Sequence, residues 1–330
     1  MRMKASLQSL CDRFLINRDL VKSEFRMESG YLYPVCANLF CAAGVDTDRQ
    51  RLVYAKQLIK DQTGLFSNFR GTVRPALACM LALSEDPDKK MADMLRQYQH
   101  LKQYFWGSEY LALAAYLLAD MTGDKEAVDY AARGKDIYDR MKKEHPFLTA
   151  QEDSVFAVLM AFSDKTDDAL VRDMEACYRL VKQRFHSANA VQSVSHVLAL
   201  ADGQPEEKAG RLMDLFDAIR AAGAKYGKEY QLATLAALAI LPVDVPATAA
   251  DIMDVDEWLS RQKGYGFWGL DRRTRAMNAA MIVSDAYAAR QVVDTAALTG
   301  TIAMVAAQQS ATCAAIIGAS CAAHAASSTS

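Results

Sequence analysis

The stretch HPFLTAQEDSVFAVLMAFSD, His145 to Asp164, decides the fold. It reads as the end of one helix, a turn around Pro146 and Phe147, and a second, shorter helix that closes at Ser163 and Asp164. Thr149 and Glu152 have the spacing of a capping box, in which a hydroxyl at the helix start accepts from the amide three residues on. The run between them and Ser163 is apolar nearly all round, and a helix without a polar face must be covered on most sides.

Working outward, the same shape returns about every 40 residues, the mark of a repeat architecture. Residues 3–26, 47–62 and 89–105 carry apolar positions at helical spacing and read as long amphipathic helices. Each is followed by a turn and a short apolar helix, at 31–43, at the run ending near Ser84 and Glu85, and from Ser108. Three series keep the interval: large apolar residues near the long-helix ends (Leu58, Tyr98, Tyr138, Tyr178, Phe216, Trp258), turn aromatics (Phe66, Phe105, Phe147, Phe185, Tyr226, Phe267), and acids after the short helices (Glu85, Asp120, Asp164, Asp202, Asp285). No β-branched run alternates with period two, so no strand is expected. The prediction is an all-α chain of about seven stacked helical hairpins with a period near 40 residues, long helices outside and short ones inside, either an α/α toroid or a HEAT-like solenoid. The array spans residues 1–290. Residues 291–330 form a second region, an Ala/Ser-rich helix or tail; from Thr295 onward it has no Lys, Arg, Asp or Glu, so it is expected to pack on the array, with membrane contact the less favoured alternative.

At 330 residues, 52% hydrophobic and 24% charged, the chain is long enough to bury a large core. A formal net charge of −2 gives no basis for a nucleic-acid partner. The N-terminal stretch lacks the apolar core of a secretory signal, which points to the cytoplasm. Seven cysteines without CxxC spacing predict neither a disulfide framework nor a zinc site, and no metal or cofactor motif is present, with no Walker A loop, dinucleotide glycine fingerprint, HExxH or GxSxG.

Five segments, GLFSNFRG (64–71), MKKEHPFLTAQEDSVFA (141–157), NAVQSVSHVLAL (189–200), KYGKEYQLATLAALA (225–239) and QKGYGFWG (262–269), together resemble a bacterial family known as domain of unknown function 4003. The resemblance runs over the whole chain and implies no activity, cofactor or catalytic residue.

In a stacked array the turns that lead into the short helices share one rim, and functional groups commonly gather on such a face. The rim residues expected to bind a ligand are Arg70, Tyr110, Asn189, Gln192, Lys228, Arg275 and Asn278, polar groups above an apolar floor. Short-helix N-termini aimed at the same mouth favour an anionic or amphipathic small molecule. A protein-interaction scaffold is the second reading. An α/α-toroid enzyme is the third, with Glu109, Asp153 and His196 as the acid and base candidates.

Overall fold

The computed structural model describes residues 3–288 apart from 29 and 266–268; the segment 291–330 and Phe267, for which expectations are given above, lie outside the described residues. Fourteen α-helices follow one another: α1 (Ala5–Glu24), α2 (Leu32–Ala42), α3 (Arg49–Gln62), α4 (Arg74–Leu83), α5 (Pro87–Leu101), α6 (Glu109–Met121), α7 (Asp124–Glu144), α8 (Asp153–Met160), α9 (Asp167–Lys182), α10 (Ala188–Leu200), α11 (Pro205–Ala221), α12 (Gln231–Ala239), α13 (Val245–Ser260) and α14 (Arg272–Ala288). A 3-10 turn, Asn68–Arg70, precedes α4. The fold is all-α, with no strand among the described residues, and no described helix is long and apolar enough to cross a membrane.

Local chemistry starts the helices where the sequence predicts. Asp48, Asp86, Ser108, Thr166 and Asp244 each accept a hydrogen bond from a backbone amide of the first turn, and Pro87 occupies a first-turn position where no amide partner is missed. The odd-numbered helices bury one stripe; that of α1 is Leu7, Cys11, Phe14, Arg18 and Val21, with Asn17 beside it. The even-numbered ones up to α12 are enclosed almost completely, and all nine residues of α12 are buried.

Each odd helix packs on the even helix that follows it, giving seven consecutive pairs, and α14 returns to pack on both α1 and α2. Lys4 reaches Asp251 on α13 at 2.7 Å, and Asn38 on α2 donates to Asp285 on α14 at 3.4 Å. The last pair therefore meets the first.

Two of the aligned series meet in space. The ring pairs Phe69 with Tyr98 (5.1 Å), Phe105 with Tyr138 (5.5 Å), His145 with Tyr178 (4.4 Å) and Phe185 with Phe216 (5.0 Å) each join one turn to the long helix of the next hairpin. Phe66 and Phe147 do not take these places. The 3-10 turn carries Phe69 inward instead, and His145 fills the equivalent position in its own turn, leaving both phenylalanines exposed.

Two local expectations are corrected. Helix α8 begins at Asp153, whose own carboxylate accepts from Ala150 N at 2.8 Å, so no capping box runs from Thr149 to Glu152. Thr149 is buried against α10, where its Oγ1 accepts from Gln192 Nε2 at 3.0 Å, a bond between neighbouring hairpins. Asp285 does not follow the last short helix but lies inside α14, buried, because that helix continues across the face of α2.

At the end away from the turns, the closing carbonyls of the short helices are met by cations. Arg51 donates to Ala82 O (2.9 Å) and Ser84 O, Lys90 to Ala119 O (3.1 Å), and Arg133 to Ala161 O (2.8 Å), Ser163 O (2.7 Å) and Lys165 O. Lys165 donates to Ala199 O and Ala201 O at 2.9 and 2.5 Å, and Arg211 to Ala239 O and Leu241 O at 3.3 and 3.4 Å. A helix leaves its last four carbonyls without intrahelical partners, and positive charge there also suits the macrodipole. The polar faces of the long helices are thereby committed to structure.

Candidate functional site

The turns leading into the short helices touch one another in sequence. Arg74 Nη2 binds Glu28 Oε1 at 2.5 Å, Glu109 accepts from Thr72 Oγ1 and Val73 N at 3.3 Å each, and the Phe105 ring packs 5.5 Å from Tyr138, whose OH donates to Ala150 O of the next turn at 3.2 Å. Gln192 reaches Thr149, Phe216 contacts both Phe185 and Tyr226, Tyr230 OH pairs with Thr274 Oγ1 at 3.0 Å, and Arg18 stacks 5.5 Å from the Tyr265 ring. These turns form one continuous rim.

The predicted residues divide into four groups. Arg70 closes the end of α3, donating to Thr63 Oγ1 at 3.0 Å and to the carbonyls of Lys60 and Thr63, while Glu109 holds the start of α4 and Tyr110 is partly buried on the core. Asn189 and Lys228 are exposed, the latter with its ammonium 6.0 Å from the Phe216 ring. Asp153, Gln192 and His196 do come together, but all three are buried. His196 Nδ1 lies 3.5 Å from Asp153 Oδ1, a separation that by itself would read as an ion pair. Burial decides otherwise: it pushes the imidazole down to about 3 and the carboxyl up to about 7, so the imidazole is neutral at neutral pH and the carboxyl keeps its proton through the weakly acidic range. With Phe156 packed 5.1 Å from the imidazole ring, this is a buried polar cluster inside the wall.

Arg275 and Asn278 lie at the seam between the last hairpin and the first. Arg275 grips Asp256 through Nε and Nη2 at 2.9 and 2.8 Å, a two-bond geometry that fixes both planes and raises the guanidinium further. Asn278 Nδ2 donates to Tyr265 OH at 3.0 Å, and burial pushes that phenol up to about 12, keeping it neutral. Both residues thus support the loop before α14. That loop folds back on itself: Leu270 N donates to Gly264 O at 2.8 Å, and a side chain at Gly269 would meet Gly264 O at 2.2 Å, so position 269 admits glycine alone.

Against this loop opens a cleft of about 640 Å³, lined by Arg18, Lys22, Arg26, Tyr31, Tyr33 and Lys263 among others. Arg18 is the group that sequence reasoning missed. It is buried, its Nε and Nη2 bind Asp19 Oδ1 at 2.9 and 2.7 Å, and its buried Nη1 has no acceptor in hydrogen-bond geometry among the described residues. The signal was present, since Arg18 continues the apolar stripe of Leu7, Cys11, Phe14 and Val21, where a cation is out of place. Around it Lys22 and Lys263 are exposed and have no ion pair among the described residues. A second basic cleft, about 440 Å³, is lined by Lys56, Lys60, Arg70 and Arg74 together with Glu24, but three of these four cations are engaged: Lys56 Nζ donates to Glu24 O at 2.5 Å, Arg74 binds Glu28, and Arg70 closes α3. No group of three or more His, Cys, Asp or Glu among the described residues is arranged to hold a metal ion.

Comparison with known proteins adds lineage to this geometry. The chain is similar to the uncharacterized protein YeaA of Bacillus subtilis (strain 168), with 25% identity over 284 residues that cover 84% of each chain. No solved structure matches it. A family model matches residues 17–310, nearly the whole array and the seam cleft within it, and the chain belongs to that family, the proteins of unknown function DUF4003.

Proposed function

We propose that the seven hairpins form a closed α/α toroid of repeated units, and that its rim binds a small anionic ligand in the cleft between the first and last hairpins. The observation that carries this reading is Arg18: a buried cation beside the Tyr265 hydroxyl whose Nη1 has no acceptor in hydrogen-bond geometry among the described residues, at the wall of a cleft where Lys22, Arg26 and Lys263 face a single carboxylate, Asp19. A buried donor without a partner is costly, and an oxyanion supplies the missing acceptor. The start of α2 adds a favourable dipole at the same mouth. Packing of α14 on α1 and α2 supports the closed ring. Acid–base catalysis by Asp153 and His196 is the weaker reading because both lie inside the wall.

The test is thermal stabilisation and calorimetric titration with inorganic phosphate, pyrophosphate and citrate. At a probe concentration 100-fold above Kd, about 2.7 kcal/mol of stabilisation is expected. The double substitution Arg18→Met, Lys263→Met should weaken binding at least about tenfold, equivalent to about 1.4 kcal/mol. If none of the three anions stabilises the native chain, or if the double variant binds them equally well, the reading fails.

A further inference from the structure

We infer that the rim formed by the first four turns docks on an anionic lipid surface. Among the described residues, five large apolar side chains are more than 70% exposed: Met27 at 97%, Leu65 at 74%, Phe66 at 97%, Trp106 at 88% and Phe147 at 99%. They stand in four neighbouring turns of the one rim, at 25–31, 63–73, 102–108 and 145–152. The contacts that join these turns, Arg74 with Glu28, Glu109 with Thr72, and Phe105 with Tyr138, whose hydroxyl in turn holds Ala150 O, keep the tips on neighbouring hairpins. Every other exposed large apolar side chain described is at most 55% exposed.

Charge chooses the partner. The seven connections on the rim carry eight Lys or Arg and four Asp or Glu, whereas the six at the opposite end carry one Lys and seven Asp or Glu. Arg26, Arg70 and Lys102 stand in the four turns that carry the tips, against Glu28 and Glu152, and the other five cations lie on the three remaining turns of the same rim, so a chain of net charge −2 presents its basic end on the side of its apolar tips and keeps its acids at the far end. A protein partner would be met by one contiguous apolar patch; these tips are separate prongs with polar residues between them, among them Ser67, Lys102 and Gln103. A bilayer accepts prongs one at a time, seating aromatic rings at headgroup depth while nearby cations meet the phosphates. The five tips lie outside the anion cleft, although Arg26 and Lys263 line it and also belong to the rim's charge.

The experiment is flotation of the full chain with vesicles of phosphatidylcholine, with or without phosphatidylglycerol. Binding to the anionic vesicles alone is expected, falling as salt is added. The triple substitution Phe66→Ser, Trp106→Ser, Phe147→Ser should reduce it by about tenfold or more without changing the melting temperature, because none of the three packs on the core. Lys60→Glu with Lys102→Glu should lower it through charge, and Arg18→Met should leave it unchanged. Absence of vesicle binding, equal binding to neutral vesicles, or retention of binding by the triple variant overturns the inference; so does a dimer of the native chain that the triple variant dissolves while vesicles play no part.

Discussion

The two ends of this molecule are built from the same hairpins and differ in almost every physical respect. At the far end the connections are short and acidic, and Arg51, Lys90, Arg133, Lys165 and Arg211 reach the last carbonyls of five buried helices. At the rim the connections are longer and basic, their inner aromatics pair from hairpin to hairpin, and their outer apolar tips stand largely in solvent. One end has its polar groups consumed by structure; the other holds charges and apolar surface in reserve. In an array where stability comes from neighbour packing, the groups left over at one end are the natural place for binding.

Substitutions can break or sharpen this contrast. The largest effect is expected within the rim itself, at two residues three positions apart: Phe69→Ala should cost about 3–5 kcal/mol, because the ring is buried against Tyr98, while Phe66→Ala should stay within about 0.5 kcal/mol. Equal effects in chemical denaturation would erase the distinction between inner and outer turn aromatics. Next, Arg133→Met removes three donors from the end of α8 and an ion pair with Asp167 at 2.8 Å, for which a loss of about 3 kcal/mol is expected. Lys102→Met, a rim cation, should cost no more than about 0.5 kcal/mol; a comparable loss there would mean that the rim is as structural as the far end.

The smallest effect concerns the buried pair behind the rim. Because the Asp153 carboxyl is raised in the folded chain, its unfolded form ionises first as pH climbs, and stability is lost between the ordinary carboxyl range and about 7. His196, lowered to about 3, acts in the opposite sense, losing stability as pH falls below the ordinary imidazole range. The two slopes offset each other across the weakly acidic range. Asp153→Asn removes one of them, so the variant's stability relative to the native chain should rise by about 2 kcal/mol from about pH 5 to about pH 7. Parallel curves for the two proteins would show that Asp153 is ionised in the fold.

The alternation of long and short helices was legible because it rests on local chemistry: caps at Asp48, Asp86 and Ser108, and apolar runs such as 232–239 that can exist only when covered. The rim was legible too, as the place where the turns must gather. Its individual assignments were harder. Arg70, Glu109 and Arg275 look like ligand groups in a one-dimensional reading, yet each has a backbone or carboxylate partner supplied by folding. Gln192 and Thr149 are 43 residues apart, and no local rule links them. Arg18 could have been noticed on its apolar stripe, but the cleft it lines exists only because α14 comes back to α1.

What the chain fixes by itself is everything decided within a few residues: helix starts, the amphipathic or all-apolar character of each helix, and the interval at which the pattern returns. Hydrogen bonds and side-chain faces at three- and four-residue spacing are local quantities, so sequence order suffices to set them. Tertiary structure alone decided which turn aromatic faces inward, which cations are neutralised by carbonyls, and which are left over at the seam. Those outcomes depend on contacts between residues far apart in the chain, where burial and partner geometry, rather than residue type, determine whether a charge is structural or free to bind.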